Sequence, residues 1–203
     1  MLIQALMSAL VNIVVLVVIP LGAYYGYHRW RHGRRFAEVT RRAGLQMGDP
    51  RYLGYAAVAA VVLVMVLLVF PPSLASSTAR GSGFAPFAGL GLGMHAVVMA
   101  LLYGVLQTGF AEEFLFRGLI AGSLGRRLPL IWANLLQALV FLAPHVLVLF
   151  VMPSIWVVLP LVFVGGLFAG WLRIRSQSIF GPWLLHASAN VTVALSLAWC
   201  SVA

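Results

Sequence analysis

The chain has 203 residues, 63% of them hydrophobic and only 8% charged, with a mean hydropathy of +1.03. Ordinary soluble domains carry about a quarter charged residues, so this composition excludes one and describes a polytopic membrane protein. The thirteen basic residues, all arginine, outnumber four acids, and the single cysteine, Cys200, excludes a disulfide framework and a cysteine-built metal site.

Only helices and closed barrels satisfy their backbone in hydrocarbon, and the apolar runs here are continuous rather than alternating, so the spans are helices. Residues 1–27 carry no charge, and Leu2 to Tyr25 is long enough to cross as a retained first helix. A signal peptide would have its basic residues before the apolar run, and here they follow it. His28 to Arg51 reads as a polar loop with seven arginines. Tyr52 to Phe70 is the second span, stopped by Pro71-Pro72. Ser73 to Gly93 is a Ser-, Gly- and Ala-rich loop with one charge, Arg80, and an interfacial portion around Phe84 to Phe87. Met94 to about Gly125 is long for one helix, so a tilt, a kink or a continuation beyond the bilayer is expected. Pro129 to about Met152 forms the fourth span, with Pro144 inside it as a kink. Ser154 to Leu172 is the fifth, where Gly166-x-x-x-Gly170 permits close helix contact. Ile179 to about Trp199 is the sixth, with Gly181-Pro182 in its first turn.

The loops after spans one, three and five hold eleven of the thirteen arginines. The positive-inside rule then predicts those loops in the cytoplasm and both termini outside. The expectation is an all-α bundle of about six transmembrane helices forming a single membrane domain over 1–203. Within it, 1–93 hold two spans and the basic loop 28–51, and 94–199 hold a four-span core. The basic loop reads as a topology signal with which a lipid-headgroup contact is compatible, and no dedicated nucleic-acid patch is expected. Arginine-only usage and small size point to a bacterial cytoplasmic membrane.

Few strongly polar groups remain inside the spans. Glu112 and Glu113 place two of the four acids in an apolar segment, where an ionised carboxylate costs several kcal/mol unless it is enclosed and paired. Glu113 and Arg117 stand at i and i+4 with the acid first, the better order for a helical ion pair, and stabilising the site is the role this suggests. Glu112 lies about 100° further around the helix and faces other partners. Phe141 and His145, and His186 and Asn190, are also four apart, each pair on one face of its span. His95 has no such partner and reads as a packing residue. A buried carboxylate works as general base, a histidine opposite it shares the water, and a second histidine with an amide holds an oxyanion. These are the parts of an amide hydrolase without a covalent intermediate. A non-catalytic scaffold or immunity protein is the alternative. A proton-coupled transporter fits less well, because the polar residues crowd one half of the chain and no inverted repeat appears.

In order, Glu112-Glu113-x-x-x-Arg117, Phe141-x-x-x-His145 and His186-x-x-x-Asn190 resemble the three motifs of the CAAX-protease and bacteriocin-processing (CPBP, or Abi) family, over roughly residues 94 to 199. The resemblance implies a glutamate-dependent intramembrane endopeptidase acting on a membrane-associated or C-terminally anchored protein or peptide. It implies that Glu112 and His145 activate water, that His186 and Asn190 hold the oxyanion, and that Glu113, Arg117 and Phe141 support them. On this reading Glu112 finds its partners at His145 and His186. No cofactor is expected. Zinc on Glu112, His145 and His186 is the alternative, disfavoured because no His-Glu-x-x-His spacing is present.

Overall fold

Six helices long and apolar enough to cross a membrane make up the computed structural model, which describes residues 1–71, 73, 77 and 81–200. They are α1 (Leu2–His32), α3 (Pro50–Val69), α4 (Met94–Gly125), α5 (Leu130–Val148), α6 (Leu159–Ser176) and α7 (Phe180–Cys200). A short helix, α2 (Phe36–Arg42), lies between the first two. No strand occurs among the described residues, and the protein is an all-helical integral membrane protein. Pro72 and Arg80, read above as a span stop and a loop charge, lie outside the described residues. Residues such as Ile3, Val61, Val69, Leu161 and Val164 are exposed on the outside of the bundle, where hydrocarbon is their solvent.

Several boundaries differ from the expected ones. The first helix runs past Tyr25 to His32, because nothing breaks it before Gly33, whose φ of +64° provides the turn into α2. The supposed loop 28–51 is therefore largely helical. At its end Asp49 accepts the Arg51 N–H at 3.0 Å and caps α3, with Pro50 in the first turn. Helix α5 ends at Val148 rather than Met152, and Pro144 does not interrupt it. A tight turn of helix at Pro153–Val157 follows, so α6 begins at Leu159, not Ser154, with Pro160 in its first turn. The helix also continues past Leu172 to Ser176, so Arg173 and Arg175 lie in α6 rather than in the expected loop, and Arg173 is only 1% exposed.

The glycine pair of α6 does meet another helix. Gln137 of α5 donates to the Gly166 carbonyl at 2.8 Å, and Asn134 donates to the Leu167 carbonyl at 3.0 Å. A methyl group at Gly170 would overlap the side-chain amides of Gln137 and Asn134. Small residues thus let α5 and α6 approach and let two amides satisfy themselves on the α6 backbone.

Helix α4 is one continuous element, but much of it is wound with i→i+5 hydrogen bonds, over Leu102–Phe110 and again over Glu113–Ala121. The Ala111 N–H reaches Leu106 and the Gly122 N–H reaches Arg117. Such π-type turns loosen the backbone ladder, and in hydrocarbon any freed carbonyl must find another donor. Three carbonyls of the first stretch do so. Tyr103 accepts the Thr108 hydroxyl at 2.9 Å, Val105 accepts the Trp183 indole at 2.8 Å, and Gln107 accepts the Asn12 amide at 3.2 Å. Helices α1 and α7 are thereby hooked to α4.

One apolar cluster gathers Val17, Ala43, Ala111, Phe114, Leu119 and Ile179, and a second gathers Phe87, Met99, Ala100, Ala194 and Leu197 towards the other end of α4. The α6–α7 turn is drawn in beneath α4. Ile179 donates to the Gly44 carbonyl at 3.0 Å, Asp49 donates to the Ser176 carbonyl at 3.2 Å, and Gly118 sits against the Ala43 carbonyl.

Candidate active site

Glu113, the more buried of the two acids at 1% exposure, is held by the side chains of Arg117 and His186. Arg117 Nη1 donates to its Oε1 at 2.9 Å, as the i, i+4 spacing predicts, and Arg117 is itself 1% exposed. His186 Nδ1 meets the same oxygen at 2.9 Å. An ionised carboxylate only accepts, so Nδ1 carries the shared hydrogen and Nε2 is left facing away from Glu113. The second oxygen, Glu113 Oε2, is buried without a hydrogen-bond partner.

This corrects one expectation. His186 pairs with Glu113 rather than Glu112, so one carboxylate oxygen on α4 serves both Arg117 and His186. Glu112 is half-buried and makes no hydrogen bond or ion pair among the described residues. It lies close enough to act electrostatically on Tyr103, Arg117 and His186, so it belongs to the same polar pocket.

Phe141 joins the remaining parts. Its buried ring lies under the Arg117 guanidinium, 3.9 Å from centroid to Cζ. It packs 4.8 Å from the His145 ring and 6.3 Å from the His186 ring. The position next to Gly166 is kept open for both, since a Cβ there would stand 3.4 Å from Phe141 and 3.5 Å from Arg117. His145 Nδ1 engages the Phe141 carbonyl at 2.9 Å, one turn back on α5, which fixes the ring and leaves Nε2 uncommitted. No hydrogen bond joins His145 to Glu112 among the described residues.

Asn190 is positioned by a residue the motifs did not suggest. Its amide donates to Thr108 Oγ1 at 2.8 Å, and Thr108 in turn donates to the Tyr103 carbonyl. The available signal was spacing: Thr108 precedes Glu112 by four residues in a stretch otherwise apolar or glycine. His95, read as a packing residue, lies exposed near the start of α4. As for zinc, no three His, Cys, Asp or Glu side chains stand together as a ligand set among the described residues.

Glu113, Arg117, Phe141, His145 and His186 thus stand together within the helical bundle, with Glu112 beside Glu113 on α4 and Asn190 one turn on from His186. Residues 93–192 match the family model described as Rce1-like, type II CAAX prenyl endopeptidase, the same family that the three motifs resemble. That likeness implies CAAX-type intramembrane protease activity. Neither the curated proteins nor the solved structures contain a match to the chain.

Proposed function

We propose that the protein is an intramembrane endopeptidase that hydrolyses a peptide bond of a membrane-associated or C-terminally anchored protein or peptide. Glu112 is the general base. The observation that carries this assignment is the division of labour between the two acids: Glu113 is committed to Arg117 and His186, whereas Glu112 is half-buried and uncommitted. Glu112 accepts a proton from a water that His145 Nε2 helps to hold, and the resulting hydroxide attacks the scissile carbonyl carbon. The carbonyl oxygen becomes an oxyanion, held by His186 Nε2 and the free N–H of Asn190. Glu112 then returns its proton to the leaving amine, and the carbon–nitrogen bond breaks. General base catalysis contributes about 10²–10⁴ and a single oxyanion donor about 10²–10³ in rate, so the two together suit a slow processing enzyme.

The geometry sets one requirement on His186. With Nδ1–H already given to Glu113, Nε2 bears a hydrogen only in the imidazolium form. The pocket then holds Glu112⁻, Glu113⁻, Arg117⁺ and His186⁺ and is neutral, which is the arrangement a low-dielectric site favours. The arginine distribution supports cytoplasmic placement of the basic end, and arginine-only usage supports a bacterial cytoplasmic membrane. The test compares membrane peptides from cells carrying the wild type or Glu112→Gln. An uncut membrane peptide is expected to accumulate in the variant while the protein itself is present at normal levels; unchanged cleavage in the variant refutes the assignment.

A further inference from the structure

A second polar cluster lies outside the catalytic pocket, where α2, the end of α4 and the end of α6 meet. Its centre is the Arg42 carbonyl at the end of α2, which accepts from Arg173 Nη2 at 2.8 Å and from Arg126 Nη1 at 3.2 Å. The two guanidinium groups therefore reach one oxygen from nitrogens within about 6 Å of each other, a repulsive arrangement in a partly dry setting. The Arg42 guanidinium belongs to the same corner, and Arg34 and Arg127 lie within electrostatic reach of Arg126.

A structural role, capping a helix end, accounts for one donor of Arg173 and no more. Arg173 is 1% exposed, and among the described residues its Nε and Nη1 are buried without a partner, as is the Nε of Arg42. Space for the Arg173 head is kept by Gly44 and Gly122, where a Cβ would come within 2.8 Å and 2.6 Å of its guanidinium nitrogens. Among the described residues no carboxylate pairs with Arg42, Arg126 or Arg173. Asp49 is taken by Arg51, Glu113 by Arg117 and His186, and Glu38, four residues before Arg42, forms no ion pair. Buried guanidinium donors want planar, charged acceptors such as phosphate oxygens, and a basic corner between helices at a membrane surface is where such a group is met.

We propose that Arg42, Arg126 and Arg173 form a binding site for a phosphate-bearing anion, supplied either by the phosphodiester of a lipid headgroup or by free phosphate. The anion neutralises the cluster and ties α2 to the ends of α4 and α6. This assignment is independent of the peptidase reading, since neither the site nor its test involves cleavage.

The experiment uses the full chain. It is reconstituted in vesicles of phosphatidylcholine and phosphatidylglycerol in equal parts and released for native mass spectrometry, and retained phosphatidylglycerol is counted. In parallel, thermal unfolding in a neutral detergent is followed with inorganic phosphate or chloride at equal ionic strength. Arg126→Gln and Arg42→Gln are read in place of Arg173 variants, because an unfilled Arg173 cavity confuses folding with binding. Arg41→Gln, an exposed arginine outside the cluster, is the control. Retention of phosphatidylglycerol that falls about tenfold in Arg126→Gln and Arg42→Gln but not in Arg41→Gln establishes a headgroup site, tenfold being the loss of one charge-assisted hydrogen bond. Stabilisation by inorganic phosphate with the same variant pattern, and no lipid retention, establishes free phosphate as the source. Absence of both, or an equal loss in Arg41→Gln, overturns the proposal in favour of diffuse attraction by a basic surface.

Discussion

Glu113→Gln keeps the shape of the side chain and removes only its charge. What it leaves behind is Arg117, buried to 1% exposure with its formal partner gone. Breaking a buried ion pair from one side costs about 3–5 kcal/mol, because the remaining charge is desolvated without compensation. Two features of this site move the figure towards the lower end. The amide oxygen of glutamine still accepts from Arg117 and His186, and the Phe141 face beneath the guanidinium supplies a cation–π contact worth up to about 2 kcal/mol. A loss of about 3 kcal/mol is therefore expected, read as denaturant unfolding in mixed micelles followed by far-ultraviolet circular dichroism. Adding Arg117→Met removes the stranded charge, so the double variant is expected to regain most of that loss. A single variant that loses under about 1 kcal/mol, the range of exposed pairs, refutes the reading of Glu113 and Arg117 as a buried brace. So does a double variant less stable than the single one.

Thr108→Val removes the hydroxyl that orients Asn190, and on any reporter peptide the wild type cleaves it is expected to lower kcat by about tenfold to hundredfold with KM little changed. Thr108→Ser should restore kcat, and equal loss in both variants counts against the positioning role. Gly170→Ala drives a methyl group into the Gln137 and Asn134 amides and is expected to cost about 1–3 kcal/mol in the same unfolding assay. Gly165→Ala, which meets nothing within 4 Å, should cost far less. Outside the membrane, the Arg51 side chain holds the Asp49 carboxyl below its ordinary value of 3.8. A depressed carboxylate stabilises the folded state above that ordinary value and loses this contribution as pH falls through the folded-state value. The stability difference between wild type and Asp49→Asn should therefore shrink on acidification, and a difference flat with pH contradicts the linkage.

The six spans were legible because arginines and prolines punctuate long apolar runs, and that signal survives errors of a few residues. The start of α6 was missed by five residues even though Pro160 marked it: the apolar run from Ile155 to Leu161 reads as span whether it is helix or tight turn. The Glu113–Arg117 pair was legible because both partners sit on one helix at a fixed spacing. The partner of His186 was not. Periodicity gives the direction in which a residue points but not its level along the bundle, and the contacts that hold the α6–α7 turn, to Gly44 and Asp49, come from distant sequence. Arg173 was misplaced for a related reason. A charge after an apolar run reads as a topology signal, and nothing local tells that two glycines elsewhere in the chain make room for it.

The wide turns of α4 give the chain an unusual sensitivity. A π-wound stretch holds more residues per turn than an α-helix, so α4 carries a surplus of chain length just ahead of Glu112 and again just after it. The surplus is held in place by Thr108 and by hooks from Trp183 and Asn12 on neighbouring helices. Removing a single residue between Leu102 and Phe110 while the present winding is kept would turn Glu112 by on the order of 100° relative to everything before it. Many side chains along this stretch could be exchanged without moving the acids; its length could not be changed without doing so.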